Sequence, residues 1–240
     1  MSVSFCALSV TLGRIFYFGG IVMQNKNESV RKLVLMAMLA ALAYLAVTFI
    51  RIPAVLFLKY EPKDVIITMG GFILGPLASM IISLVVSLVE MVSVSDTGII
   101  GCLMNFLSTC SFACTAALIY RKKHTLNGAV LGLLAGTVTM TGVMLLWNWL
   151  VTPLYMGGTR EEVAALLVPV FLPFNLLKAG LNSALILGLY KPLTAALRKT
   201  RLLPESSGSG PRKLSVGLYL FAGALLVTCI LLLLVMQGVL

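Results

Sequence analysis

Apolar runs long enough to cross a lipid bilayer follow one another along this chain, and they leave little choice of fold. They lie at Leu33–Ile50, Val65–Ser95, Ile99–Tyr120, Leu126–Val151, Leu166–Tyr190 and Leu214–Met236. About 20 apolar residues carry a helix through about 30 Å of hydrocarbon. Composition agrees: 60% of the residues are hydrophobic and 11% are charged, against about 25% charged in a soluble domain. The chain is read as an all-α integral membrane protein that crosses the bilayer several times.

The run Val65–Ser95 is too long for one ordinary crossing. Gly75-Pro76 divides it, because this dipeptide marks a turn. Charge supports the division, since cytoplasmic loops are enriched in Lys and Arg. Undivided, the run leaves Arg31-Lys32 and Arg121-Lys122-Lys123 on opposite sides. Divided, it puts both inside, together with Lys191, Arg198, Lys199, Arg201, Arg212 and Lys213. Glu61, Asp64, Glu90, Asp96, Glu161 and Glu162 then fall outside or in the outer half. The net charge of +10 thus reads as topology and contact with anionic lipid headgroups. Nucleic acid is a poor partner for basic residues scattered among short loops. Val65–Gly75 alone gives only about 16 Å of helix. Its helix is therefore expected to begin earlier, near Pro62, or to be partly shielded by neighbours, with Ile52–Lys63 a structured outer loop that dips into the bundle.

Four segments follow. Residues 1–30 read as a cytoplasmic N-terminal extension, with 1–22 upstream of a more natural start at Met23. Residues 31–200 form a six-helix core, and 201–213 a flexible Ser/Gly/Pro linker. Residues 214–240 form an appended transmembrane helix.

The chemistry concentrates in two places. Phe57-Leu58-Lys59-Tyr60-Glu61-Pro62-Lys63-Asp64 sets four charges and a proline between apolar runs, as expected at a water-facing mouth. Lys178 lies inside a later run, with Asn175 and Asn182 at helical spacing on its face. Ionisable groups at membrane depth are costly and mark functional sites. Lys178 needs acceptors, and Glu61, Asp64 and Glu90 are the outer-side candidates. It serves either a ligand or a buried ion pair. Pro169 and Pro173 each free a carbonyl one turn back, so the chain ahead of Asn175 is expected to kink or unwind. Asn105 and Asn148, the latter between Trp147 and Trp149, suit either a polar ligand edge or an interhelical hydrogen bond. Tyr60 and Tyr155 fall in outer loops and could cover a flat aromatic ligand. Gly128, Gly132 and Gly136 recur every fourth residue, and Ala37 and Ala41 give the first span a small-residue face. Such faces let helices approach closely, either as internal seams or as a seat for another protein's helix.

Catalytic patterns are missing. The chain has no G-x-x-x-x-G-K-[ST] loop, no H-E-x-x-H and no Ser/His/Asp set. Its five cysteines make no C-x-x-C pair, and His124 is the only histidine. No enzyme, cofactor or metal centre is expected.

In order and spacing, these motifs resemble the substrate-binding S components of energy-coupling factor (ECF) vitamin transporters, most closely the riboflavin-specific branch. The resemblance covers roughly residues 30–200. It rests on Phe57 to Asp64, Gly75-Pro76, Asn105-Phe106-Leu107, Trp147-Asn148-Trp149 with Thr152-Pro153-Leu154-Tyr155, and Pro173-Phe174-Asn175-Leu176-Leu177-Lys178-Ala179-Gly180. It implies a six-helix S-component bundle with an outer vitamin pocket, to which this chain adds a C-terminal helix. Asn148, Asn175 and Lys178 match ligand-contacting residues, and Tyr60 to Asp64 match a closing loop. The expected riboflavin site comprises Tyr60, Glu61, Asp64, Glu90, Asn105, Asn148, Tyr155, Asn175 and Lys178. Ala37 and Ala41 match the face that docks on a membrane scaffold subunit, which two cytoplasmic ATPases energise. The protein implied is a multi-pass subunit of a bacterial cell membrane importer. The sequence departs from the pattern at Glu61-Pro62-Lys63, at Glu90 and in its seventh span. Another vitamin or small metabolite is the nearest alternative ligand. An autonomous secondary transporter is the alternative from another class, and it predicts an inverted repeat that the halves do not display.

Overall fold

The structure, a computed structural model, describes residues 26–56, 58–94, 98–156, 159–199 and 216–236. Most of the N-terminal extension and the whole 201–213 linker lie outside the described residues. The helices are α1 (Lys26–Phe49), α2 (Lys63–Leu74), α3 (Pro76–Ser93), α4 (Gly98–Lys122), α5 (Leu126–Met156), α6 (Arg160–Leu166), α7 (Leu172–Lys199) and α8 (Val216–Met236). Two short antiparallel strands, β1 (Ile52–Val55) and β2 (Leu58–Tyr60), join α1 to α2. A π-helical turn, Leu167–Phe171, joins α6 to α7. The chain divides into two units between Leu35 and Met36, within α1. The second unit, Met36–Leu240, holds every element from the hairpin onward.

Among the described residues, five helical stretches are long and apolar enough to span a membrane: Ser29–Phe49, Pro76–Ser93, Gly98–Lys122, Leu126–Leu154 and Arg160–Tyr190. Their outward residues, such as Leu42, Leu84, Leu134 and Val138, are exposed apolar side chains suited to lipid. On α1, Leu39, Ala43 and Val47 recur every four residues and are buried, while Ala37 and Ala41 are exposed.

The long run Val65–Ser95 breaks where Gly75-Pro76 requires it. Gly75 adopts φ 101°, a conformation natural to a residue without Cβ, and donates its N–H to Gly71 O at 2.8 Å. Pro76 opens α3 at a position where its missing N–H costs nothing. The helix before the break starts at Lys63, with Pro62 as its N-cap residue, two residues before the apolar run begins. Even so, its 12 residues reach only about 18 Å. It survives at this length because it is sheltered by α3, α4 and α7. Val65, Met69 and Phe72 enter one core with Phe112, Ala116, Leu133, Met140 and Ile186.

The glycine ladder of α5 is an internal seam. A Cβ on Gly132 would stand 2.6 Å from Ala116 O, and one on Gly136 would stand 2.7 Å from Phe112 O. The backbones of α4 and α5 therefore touch, and van der Waals packing replaces the hydrophobic drive that lipid cannot supply. Replacing Gly132 by Leu is expected to destabilise the protein by about 1–3 kcal/mol through overpacking. Gly142→Ala, on the same helix with nothing within 4 Å of the added carbon among the described residues, should change little. Thermal unfolding in detergent compares the two. Equal midpoints would show that the seam does not set stability.

Candidate functional site

Helix alternation gathers the polar residues at one end of the bundle. The end of α1, the hairpin, the start of α2, the end of α3, the start of α4 and the first turns of α7 all contribute. Within the hairpin, Ile52 pairs with Tyr60, Pro53 with Lys59 and Val55 with Leu58, with an irregularity between Pro53 and Val55. Leu56 at the tip takes φ 53°. Ala54 and Leu58 anchor the hairpin in an apolar cluster with Val163, Phe171 and Phe174.

Below it runs a buried ionic network. Lys178 Nζ lies 3.1 Å from Asp64 Oδ2 and donates to Ser108 Oγ at 3.4 Å. Asp64 is fully buried. It also accepts from Thr109 Oγ1 at 2.7 Å and from Asn182 Nδ2 at 3.3 Å. Asn182 Oδ1 in turn accepts the Tyr60 hydroxyl at 3.1 Å. A second branch centres on Lys63, whose Nζ is 2.7 Å from Glu61 Oε2 and 2.5 Å from Glu90 Oε2. Asn105 Nδ2 donates to Glu90 Oε2 at 3.1 Å. Arg51 bonds Glu61 Oε1 through Nε at 2.8 Å and the Val94 carbonyl at the end of α3 through a guanidinium N–H at 2.7 Å. Arg51, Lys63 and Lys178 balance Glu61, Asp64 and Glu90.

Two groups in the hairpin segment titrate away from their usual values. Burial pushes the Tyr60 hydroxyl up, and the Asp64 charge pushes it further, so it stays a donor. Burial also favours the neutral form of Glu61, but the Lys63 ammonium, with Lys178 and the Arg51 hydrogen bond, outweighs it and holds the carboxyl at about 2.

Of the residues singled out in the sequence, Tyr60, Glu61, Asp64, Glu90, Asn105 and Lys178 meet in this network. The three carboxylates offered to Lys178 are thereby sorted: Asp64 takes it, while Glu61 and Glu90 take Lys63. Asn148 and Asn175 are buried in the same half but bond to their own helices. Asn148 Nδ2 donates to Met144 O at 2.8 Å, and Asn148 Oδ1 accepts from Thr152 at 3.0 Å. Asn175 Nδ2 donates to Phe171 O at 2.7 Å. Phe171 is the last residue of the π-helical turn, which forms where Pro169 and Pro173 interrupt the N–H ladder. Tyr155 belongs to α5, and its side chain lies outside the described residues. Ala37 and Ala41 sit apart, on the exposed face of α1.

Sequence reading passed over Arg51, Lys63, Thr109 and Asn182 as site residues. Lys63 and Asn182 carried a signal: one sits in the charged loop and the other one turn beyond Lys178. Arg51 reads as the polar end of a span, and Thr109 as an ordinary helix residue.

Asp64 generates the first expectation for this site. Asp64→Ala strands a buried ammonium and is expected to cost about 3–5 kcal/mol. Asp64→Ala with Lys178→Met should recover part of it, and denaturant unfolding reads the difference. A double variant no better than the single one would refute the pairing. The second concerns pH. Because the Glu61 carboxyl is lowered in the folded state, its contribution is complete above its ordinary 4.5 and is lost as pH falls toward about 2. The unfolding midpoint should drop across that window, and Glu61→Gln should flatten the drop. Identical pH profiles would remove Glu61 from the account.

Comparison with known proteins adds the last observation. A family model described as the ECF transporter substrate-specific component matches residues 31–190. The chain is similar to the riboflavin transporter RibU of Staphylococcus aureus, at 30% identity over 179 residues, 70% of this chain and 93% of that protein. It is 26% identical over 206 residues to the riboflavin transporter RibU of Streptococcus thermophilus, 81% of this chain and 98% of the relative. The riboflavin transporter FmnP of Bacillus subtilis is 27% identical over 162 residues, 62% of this chain and 84% of its own. A solved S component of a bacterial ECF transporter superposes with a TM-score of 0.60 at 30% identity, covering 71% of this chain and 99% of that one.

Proposed function

Because this chain belongs to the family of ECF transporter substrate-specific components, we propose that it captures riboflavin outside a bacterial cell for ATP-driven uptake. The protein is a multi-pass membrane protein of a transport family. The observation that carries the ligand reading is the buried Asp64–Lys178 pair, set among amides and hydroxyls beneath the hairpin. Polar groups at this depth demand partners, and riboflavin offers a uracil-like edge, a flat ring and a polyhydroxyl tail. The relatives named as riboflavin transporters supply the same ligand.

In this reading the Lys178 ammonium, with three N–H donors, keeps Asp64 and Ser108 and donates its third N–H as a hydrogen bond to a flavin carbonyl. Asn148 and Asn175 exchange bonds to their own helices for bonds to the ligand edge. Glu90 and Asn105 complete the polar wall, Tyr60 to Asp64 form the cover, and Tyr155 meets the ring. Ligands unable to engage these groups are rejected, because the groups would be left unpaired. Exposed Arg121, Lys122 and Lys123 belong to the opposite end of α4 and face the cytoplasm, as the N-terminus does. Ala37 and Ala41, exposed on α1, meet a membrane scaffold subunit that two cytoplasmic ATPases drive.

The test begins with protein purified from cells grown on riboflavin. It should carry a yellow chromophore that denaturation releases, and it should quench added riboflavin at micromolar concentration or below. Lys178→Ala should weaken binding by at least about 1.5 kcal/mol, somewhat more than tenfold. A colourless protein that fails to bind riboflavin would rule out this ligand, and unchanged affinity in Lys178→Ala would return the lysine to a packing role.

A further inference from the structure

The last helix does more than anchor the chain. It lies beyond residues 31–190, where the family match ends, yet it reaches the site. Ala222, Cys229 and Leu233 are buried along one stripe of α8, while Leu220, Val227, Ile230, Leu231 and Val235 are exposed. That stripe lies on α7, the helix that carries Asn175, Lys178 and Asn182. Cys229 and Leu233 share a buried apolar cluster with Leu177 and Leu181 of α7 and with Tyr60 of the hairpin. The approach is close at Gly180. A Cβ there would stand 2.8 Å from Cys229 Sγ, its one neighbour within 4 Å among the described residues. Tyr60 is thus held at both ends. Its ring is packed by α7 and α8, and its hydroxyl bonds Asn182, which bonds Asp64, the partner of Lys178.

We propose that α8 is a seat for Tyr60, and that Cys229 and Leu233 are positioning residues that keep the hairpin closed on the binding network. A tyrosine hydroxyl bonds well only within narrow limits of distance and angle, so the wall behind its ring sets how often the bond is made. For ligand capture, which rests on the riboflavin reading, this seat lowers the rate of release rather than raising the rate of arrival, the usual place for affinity tuning.

The test displaces the seat without removing it. Gly180→Leu in the full chain pushes against Cys229, and Cys229→Gly in the same chain makes room. Amide hydrogen exchange of Leu58 to Tyr60 needs no ligand. It should quicken at least about threefold in Gly180→Leu and return toward the starting rate in the double variant. Riboflavin release should quicken at least about fivefold with arrival nearly unchanged, and that increase should vanish in a Tyr60→Phe background. Faster exchange in α8 with no change at Leu58 to Tyr60 would overturn the proposal. So would a lowered melting temperature with unaltered release, or an equal effect when the hydroxyl is absent. If Gly180→Leu does not fold, Cys229→Ala decides in the same way, with a smaller effect in the same direction. If the unaltered chain binds no riboflavin, the ligand reading fails on its own and the exchange measurement still judges the seat.

Discussion

A lysine ammonium and an aspartate carboxylate, both sealed from water, organise this end of the molecule. Removing each ion from solvent costs several kcal/mol, and mutual attraction repays that only when the remaining lone pairs and protons are also engaged. Asp64 meets the condition through Thr109 and Asn182, and Lys178 meets part of it through Ser108. These partners come from α2, α4 and α7, so one demand for hydrogen bonds fixes three helices against each other. The short α2 could not hold its place by length alone. Its first turn is pinned by charge, and its last is ended by Gly75.

The second branch fastens the hairpin to the remaining walls. Arg51 and Glu61 flank the two strands and clasp each other across their base, while Lys63 carries the connection to Glu90 on α3. Arg51 also reaches the terminal carbonyl of α3, where a cation complements the partial negative charge of the helix end. The hairpin and the buried network beside it are thus parts of one electrostatic unit. Deeper in the bundle the forces change: glycine against carbonyl along α4 and α5 supplies contact without polarity.

Much of this was legible in the residues. Apolar runs located the helices, because hydrocarbon forbids unsatisfied backbone. Gly75-Pro76 located a break, because one residue tolerates positive φ and the other lacks a donor. Lys178 announced a partner, and three carboxylates were available. The choice of Asp64 was not legible, since it depends on how far α2 and α7 rotate about their axes. The hairpin was equally hidden. Its strands are too short for a pattern, and Leu56, not a glycine, occupies the left-handed position at its tip. Asn148 and Asn175 were recognised as amides at depth, but only the folded backbone reveals which carbonyls they reach. The reach of α8 to Tyr60 was obscured by the linker, which made the last helix read as a separate appendage.

The pairing of cations with anions inside the network limits how far its field reaches. Three cations set against three anions cast almost no field beyond a few ångströms, least of all in physiological salt. The network therefore acts at contact range, holding the hairpin and three helices in register, and any long-range steering falls to charges elsewhere on the surface, such as Lys59 and Arg160.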